Sequence, residues 1–231
     1  RGLGDVYKRQ TEYYIELLKN RGLNDKMILS FFKQACANYS RYGLTTLMTQ
    51  ANNQDMLLIP DPSALLTTLS DQTYIGAYVP HNLVLMSDIH RLKYAMYLNN
   101  DAYEALKKMI DAMPDEIAND FYVKEAYTSF TDLQYSNPNL AGKDERQLGH
   151  TVSIASKSIA YQEFETSALS QWLEAHSYEY GFILRYPKRM ASSTNHVYDA
   201  HYYRYVGKKN ANKIYKENSC IEEYNQKGAA E

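Results

Sequence analysis

Cysteine, long apolar runs and excess charge are all scarce in this sequence, and each shortage removes a class of protein. Two cysteines in 231 residues, Cys36 and Cys220, are too few and too far apart for a disulfide framework or a zinc knuckle. Their spacing leaves either one bridge or two unrelated thiols. No apolar run approaches the roughly 18–20 residues that span a bilayer, so no transmembrane segment is expected in this chain. The formal net charge is −2 and no basic cluster is present, which argues against nucleic acid or an anionic membrane surface as the partner. There is no Gly-x-Ser-x-Gly elbow, and neither cysteine has an evident histidine partner, which disfavours a metal-free serine or cysteine hydrolase. Internal repeats and low-complexity linkers are also missing.

What is present is enough apolar material, 45% of the residues, for one substantial core or for a catalytic-size domain with a helical extension. Tyrosine occurs 23 times. Its apolar body and polar tip suit either a wide, wet cleft or a tyrosine-rich rim around a core. The opening RGLGDVYKRQ resembles a translated sequencing adapter more than a signal peptide or a helix start. Residues 1–10 are therefore expected to be artefactual or disordered, with any secretion signal upstream.

Residues 11–20 place Tyr13, Tyr14, Leu17 and Leu18 on one helical face, and Gly22 ends that helix. Asn24 can cap a second helix carrying Met27, Ile28, Phe31, Phe32 and Ala35 at core spacing. Residues 38–66 are polar and mixed, so residues 11–66 read as a helical N-terminal extension with a docking or spacer role. An exposed apolar patch on residues 11–37 would make that extension the functional part.

From residue 67 the pattern changes. An amphipathic helix over 101–113 sets Ala102, Ala105, Leu106, Met109, Ile110 and Met113 on one stripe. Strands are expected over 121–127, 148–155, 182–186 and 197–206, with Pro187 halting the third. A helix over 167–180 turns Leu169, Trp172, Leu173 and Tyr180 inward and ends at Gly181; a polar helix over 208–218 follows. Helices mixed with short, mostly antiparallel strands indicate an α+β fold for residues 67–231, with a small sheet flanked by helices.

Two blocks are specific enough to point to a family: DERQLGHTVS (144–153), and WLEAHSYEYGFILRYP (172–187) with YDAHYYRYVG (198–207). With the closing ENSCIEEY (217–224) and the earlier YVPHNLVLMSD (78–88), they resemble the VanY-type D-alanyl-D-alanine carboxypeptidases over roughly residues 67–225. That family trims the terminal D-alanine from peptidoglycan stem peptides with a zinc ion held by His, Asp and His, and a Glu activates the metal-bound water. The resemblance therefore implies an extracellular or cell-envelope location.

Carried over residue by residue, the resemblance implies a degenerate site. The first His falls on Arg146, a permanent cation with no lone pair to donate. The Asp falls on Ser153, a poor zinc ligand, and the second His on Tyr202, whose ordinary pKa is about 10. Asp199 stands at the Glu position with one methylene less reach, as the residual catalytic candidate. In the family a Ser-Gly-Tyr-Arg-Ser turn grips the substrate carboxylate through its Arg; here the run is Glu125-Ala126-Tyr127-Thr128-Ser129, with Thr128 in the Arg position. Tyr127, Thr128, Ser129 and Arg204 remain the candidate cleft residues, and Gly149, Tyr186, Arg204, Tyr205, Val206 and Gly207 the retained framework.

No metal is expected in this chain. The expectation is a catalytically inactive homologue acting in cell-wall peptide binding or protein interaction, with a peptidoglycan stem peptide or an unknown protein as partner. The alternative is an active zinc carboxypeptidase with a remodelled metal site, which would draw on Asp199 with His196 or His201. Strand alternation turns His201 away from position 202, and His150 away from Arg146 and Ser153 if its strand is regular to the start. Arg146 and Asp199 are expected to approach each other, directly or through water, the guanidinium standing where the dication stood.

Overall fold

In the computed structural model, residues 3–228 are described. The chain opens with helices α1 (Leu3–Asn20), α2 (Asp25–Asn38) and α3 (Arg41–Met48), then strands β1 (Leu57–Leu58), β2 (Thr73–Tyr74), β3 (Leu83–Leu85) and β4 (Tyr97–Asn99). Next come α4 (Asn100–Asp111), α5 (Asp115–Asp120), β5 (Phe121–Glu125), α6 (Phe130–Ser136) and β6 (Thr151–Ser156). The last part holds α7 (Ala168–His176), β7 (Phe182–Tyr186), α8 (Ala191–Thr194), β8 (Asp199–Tyr205), α9 (Lys208–Lys216) and α10 (Ile221–Gly228).

The expected α+β class holds, and the sheet is small and antiparallel. The first helix reaches back to Leu3 and so runs through most of the stretch expected to be artefactual or disordered. Asn24 caps α2 as expected, accepting from the Met27 amide, and Ile28, Phe31 and Ala35 are buried. Met27, in contrast, is half exposed. The tract 38–66 is less irregular than its composition suggests, because the Ser40 hydroxyl accepts from the Gly43 amide and starts α3.

The chain divides into two compact units that are discontinuous in sequence. The first holds everything up to Ala64 together with Leu69–His81 and Ser129–Gln147, so the helical extension is completed by two later segments. Two polar side chains tie this unit together. The Arg21 guanidinium collects the carbonyls of Ala51 and Asn53 at 3.2 and 2.6 Å, and that of Met56. The buried amide of Gln147 donates to the carbonyls of Gly76 and Tyr78 at 2.7 and 3.1 Å and accepts from the Gly142 amide at 3.1 Å. Gly142 has a φ of +81°, and a Cβ there would lie 2.4 Å from the Tyr74 ring, so only glycine fits.

The second unit holds Leu65–Thr68, Asn82–Thr128 and the chain from Leu148 onward. Its sheet runs in the order β5-β6-β8-β7, antiparallel throughout. One face carries Phe121, Val123, Val152, Ile154, Phe182 and Tyr203 against Leu106 and Met109 of α4 and Leu169 and Leu173 of α7. On the other face Ile183 packs with Val206, Ala211, Ile214 and Ile221, which brings in α9 and α10. Deep between these layers the Arg185 guanidinium, 1% exposed, pairs with Glu222 at 2.5 and 3.1 Å. Removing one member of such a pair leaves the other desolvated and poorly compensated. Glu222→Ala is therefore expected to destabilise the fold by about 3 kcal/mol, read as a lowered urea midpoint. A shift within about 0.5 kcal/mol would show that the pair contributes nothing beyond solvent contact.

Candidate functional site

The register of the central strands puts three chemically important residues in one row. Ser153 of β6 lies opposite Glu125 of β5 on one side and opposite Tyr202 of β8 on the other. A bulge makes this possible: Val123 pairs with Ile154 and Glu125 with Ser153, leaving Lys124 as the extra residue. The bulge brings Glu125 into the row, and its carboxylate accepts a 2.8 Å hydrogen bond from the Tyr202 phenol. Ser153 between them is 1% exposed. Its Oγ completes no hydrogen bond of normal geometry, although it lies close enough to Tyr161 to help offset the rise in that phenol's pKa.

Tyr161 borders the row. Burial raises its pKa first, and the negative charges of Asp199 and Glu125 add to the rise. The extruded Lys124 ammonium sits 3.2 Å from the Tyr161 ring centroid, while His201 stacks on the ring at 3.6 Å with an interplanar angle of 2°. Phe164 also stacks on His201, at 4.3 Å. Both His201 nitrogens face backbone carbonyls, Nδ1 that of Ile154 at 2.7 Å and Nε2 that of Tyr161 at 3.0 Å. An N–H fits such an environment and a metal does not. The amide of His201 in turn donates to Asp199 at 2.9 Å.

The other expected residues occupy varied places. Arg146 forks onto Asp144, Nε to Oδ1 at 3.0 Å and Nη2 to Oδ2 at 2.6 Å, and Asp144 also accepts the Arg146 amide at 2.8 Å. His196 is exposed and stacks on Tyr186 at 3.8 Å. His150 precedes the first residue of β6 and so lies outside the regular strand. Its buried Nδ1 has no hydrogen-bond partner. Thr128 makes one long contact, 3.4 Å, to the Ala126 carbonyl, and the Tyr127 amide donates to Tyr97 at 3.1 Å.

Two cleft candidates have structural duties. The Ser129 hydroxyl caps α6, accepting from the Asp132 amide and donating to the Asp132 carboxylate at 2.6 Å. Arg204 is fully buried, and its Nη2 donates to the carbonyls of Leu65 and Thr67, each at 3.2 Å, fastening that segment to the sheet. Glu125, Lys124 and Tyr161 were not singled out as site residues from the sequence. The order of the family motif leads to Ser153 and Tyr202, but nothing in it announces the bulge that brings Glu125 to them.

A zinc ion needs about three deprotonated N, O or S donors from the protein. In the row itself Ser153 is a buried neutral hydroxyl and Tyr202 a phenol whose proton serves Glu125, and neither is a strong zinc donor. Among the described residues no three His, Cys, Asp or Glu side chains gather in a way that could hold a metal. The Glu125–Ser153–Tyr202 row by itself does not make a three-donor zinc site.

Topology and motif order together define a fold of the small antiparallel-sheet peptidase type. The family model for VanY, D-alanyl-D-alanine carboxypeptidase, matches residues 122–208. A D-alanyl-D-alanine carboxypeptidase of Enterococcus faecalis is 30% identical over 192 residues, covering 78% of this chain and 70% of the relative. Among solved structures, the LdcB LD-carboxypeptidase, described for its recognition of peptidoglycan, superimposes with a TM-score of 0.65 at 27% identity, over 73% of this chain and 88% of that one. A VanY variant from a VanB-type vancomycin-resistance cassette, solved with Zn(II), shares the fold at a TM-score of 0.51 and 24% identity, over 69% of this chain and 98% of its own. The chain belongs to the VanY D-alanyl-D-alanine carboxypeptidase family.

His150 gives this region a pH dependence. Burial, and then the charge of Arg204, lower its pKa from 6.5 to about 3, so folding holds the ring neutral. A base depressed in the folded state contributes stability that is complete above pH 6.5 and is lost as pH falls toward 3. The wild type is expected to lose about 1.4 kcal/mol more per pH unit in that window than His150→Gln, measured as urea midpoints at stepped pH. Parallel pH profiles for the two proteins would refute the assignment.

Proposed function

We propose that this chain is a catalytically inactive VanY homologue of the cell envelope, acting in binding of cell-wall peptide or in protein interaction. The observation that carries this reading is the Tyr202–Glu125 hydrogen bond, which occupies a ligand position with a phenol already committed to a carboxylate. Metal-assisted hydrolysis needs an electrophile to polarise the scissile carbonyl and an activated water. Ser153 and Tyr202 are neutral donors, and Arg146 is a cation without a lone pair to give a metal. Asp199, at the position of the water-activating Glu, has no zinc-bound water to deprotonate. The D-alanine carboxylate also lacks its arginine, since Thr128 offers one hydroxyl where a bidentate clamp would be needed. Phenols and amides of the Tyr127 and 198–205 region are then what remains to hold a peptide.

Protein stripped with chelator and titrated calorimetrically with zinc at fixed pH is expected to show no saturable binding. It is expected to release no D-alanine from a stem peptide ending in D-Ala-D-Ala. One-to-one zinc uptake, or chelator-sensitive release of D-alanine, would overturn the reading and make Asp199, His196 and His201 the first residues to replace. Restoring the family set by Arg146→His, Ser153→Asp, Tyr202→His and Asp199→Glu together is expected to create zinc uptake that the parent lacks.

A further inference from the structure

Strand β7 is an edge strand, and its outer side opens into a slot of about 690 Å³. Which backbone groups face that slot follows from the ladder. Val206 N donates to the Gly181 carbonyl at 2.9 Å, and Tyr205 N donates to the His150 carbonyl at 2.8 Å. Residues of β8 thus alternate between their two neighbours: Tyr205 and Tyr203 serve β6, while Val206 and Arg204 serve β7. Phe182 and Leu184, which lie opposite Tyr205 and Tyr203, must therefore turn their N–H and C=O groups outward. Phe182 is fully buried and Leu184 half-buried, so these groups sit at the bottom of the slot rather than on an open edge.

The slot has walls on both sides. Glu174 and Ala175 of α7 form one, and Tyr215 and Lys216 of α9 the other. Near the Gly181 end, Tyr178 stacks on Tyr215 at 3.7 Å, and Pro187 follows the far end of the strand. The five residues of β7 give a length of about 17 Å. A second copy of this sheet edge would bring its own α7 and α9 against these walls, so the space suits one unflanked strand. Successive side chains of such a strand point alternately to the two walls, where they meet a carboxylate and an ammonium. Unpaired main-chain groups give an added strand its hydrogen bonds, and walls of opposite charge give its alternate side chains their selectivity.

We propose that the β7 edge is a binding site for an extended peptide segment of about five residues, apolar with one basic and one acidic side chain on opposite faces. The segment adds as a fifth strand, antiparallel or parallel to β7, and bonds through the outward groups of Phe182 and Leu184. This site is separate from the Glu125–Ser153–Tyr202 row and holds whether or not that row binds anything.

The probe is the capped pentapeptide acetyl-Val-Val-Lys-Glu-Val-amide, titrated by fluorescence anisotropy through a dye on its N-terminal cap. Saturable binding below about 1 mM is expected, within the range of weak strand-addition contacts. N-methylation of alternate amides supplies the decisive comparison. One alternating set should weaken binding at least about tenfold and the other should not, because only every second amide faces β7. Ala175→Trp fills the slot from an exposed helical position and should also weaken binding at least about tenfold with an unchanged thermal midpoint. The proposal is overturned by failure to saturate, by equal effects of the two methylation sets, or by full binding to Ala175→Trp. A concentration-dependent dimer of the wild type that Ala175→Trp abolishes would also overturn it, because the occupant would then be a second copy.

Discussion

The pairing of β6 with β8 in one fixed register is the constraint on which the rest of the second unit depends. Thr151 faces Arg204, Val152 faces Tyr203 and Ser153 faces Tyr202. Because side chains alternate with a period of two, a slip of β6 by one residue would send Val152 and Ile154 out of the core and turn Ser153 into it. The register is pinned from both sides: Val152, Ile154 and Tyr203 are buried against α4 and α7, and Arg204 is anchored to the carbonyls of Leu65 and Thr67. A frame this heavily determined keeps its geometry when the residues it displays change. The fold is therefore carried by this register rather than by the polar residues displayed on it.

The carboxylates around this row are matched with donors. Tyr202 donates to Glu125, and Asp199 accepts the His201 amide. Each carboxylate therefore has a donor that does not depend on metal. Lys124, the ring of Tyr161 and His201 form a cation–aromatic stack that fills the border of the site. The carboxylates are thus satisfied inside the fold, whereas the buried Ser153 hydroxyl and His150 Nδ1 complete no hydrogen bond.

Elements with a local signal were legible in the sequence. The Asn24 cap, the apolar stripe of α4 and the glycine after Tyr180 marked helices that exist, and the alternation of Phe182, Leu184 and Tyr186 marked a strand. The helix α3, started by Ser40, lay in a tract whose mixed composition concealed it. The two-unit organisation was beyond local reading, because Gln147 is joined to Gly76 and Tyr78 across about seventy positions and no periodicity encodes such a contact. In the site, motif order located Ser153 and Tyr202, whereas the arrival of Glu125 needed a bulge that depends on pairing between strands. Arg204 was placed in the cleft because it belongs to a conspicuous motif. In the structure it is fully buried and donates to the carbonyls of Leu65 and Thr67.

The same ladder that fixes the site also determines what β7 presents to the outside. Once β8 is shared between β6 and β7, the outward direction of Phe182 and Leu184 follows, and the fold must then manage an edge that is apolar in composition. Several devices for doing so are visible. Pro187 stops the strand, Arg185 is turned inward to Glu222, and β8 departs from even register between the Leu184 and Tyr186 pairings. None of them covers the stretch between Gly181 and Leu184, where the helical walls α7 and α9 stand apart and leave the slot. Edge protection by walls differs from protection by charge or proline, because walls exclude another folded sheet while still admitting a single chain. The sheet thus presents, away from the Glu125–Ser153–Tyr202 row, the geometry for holding an extended peptide through the backbone alone.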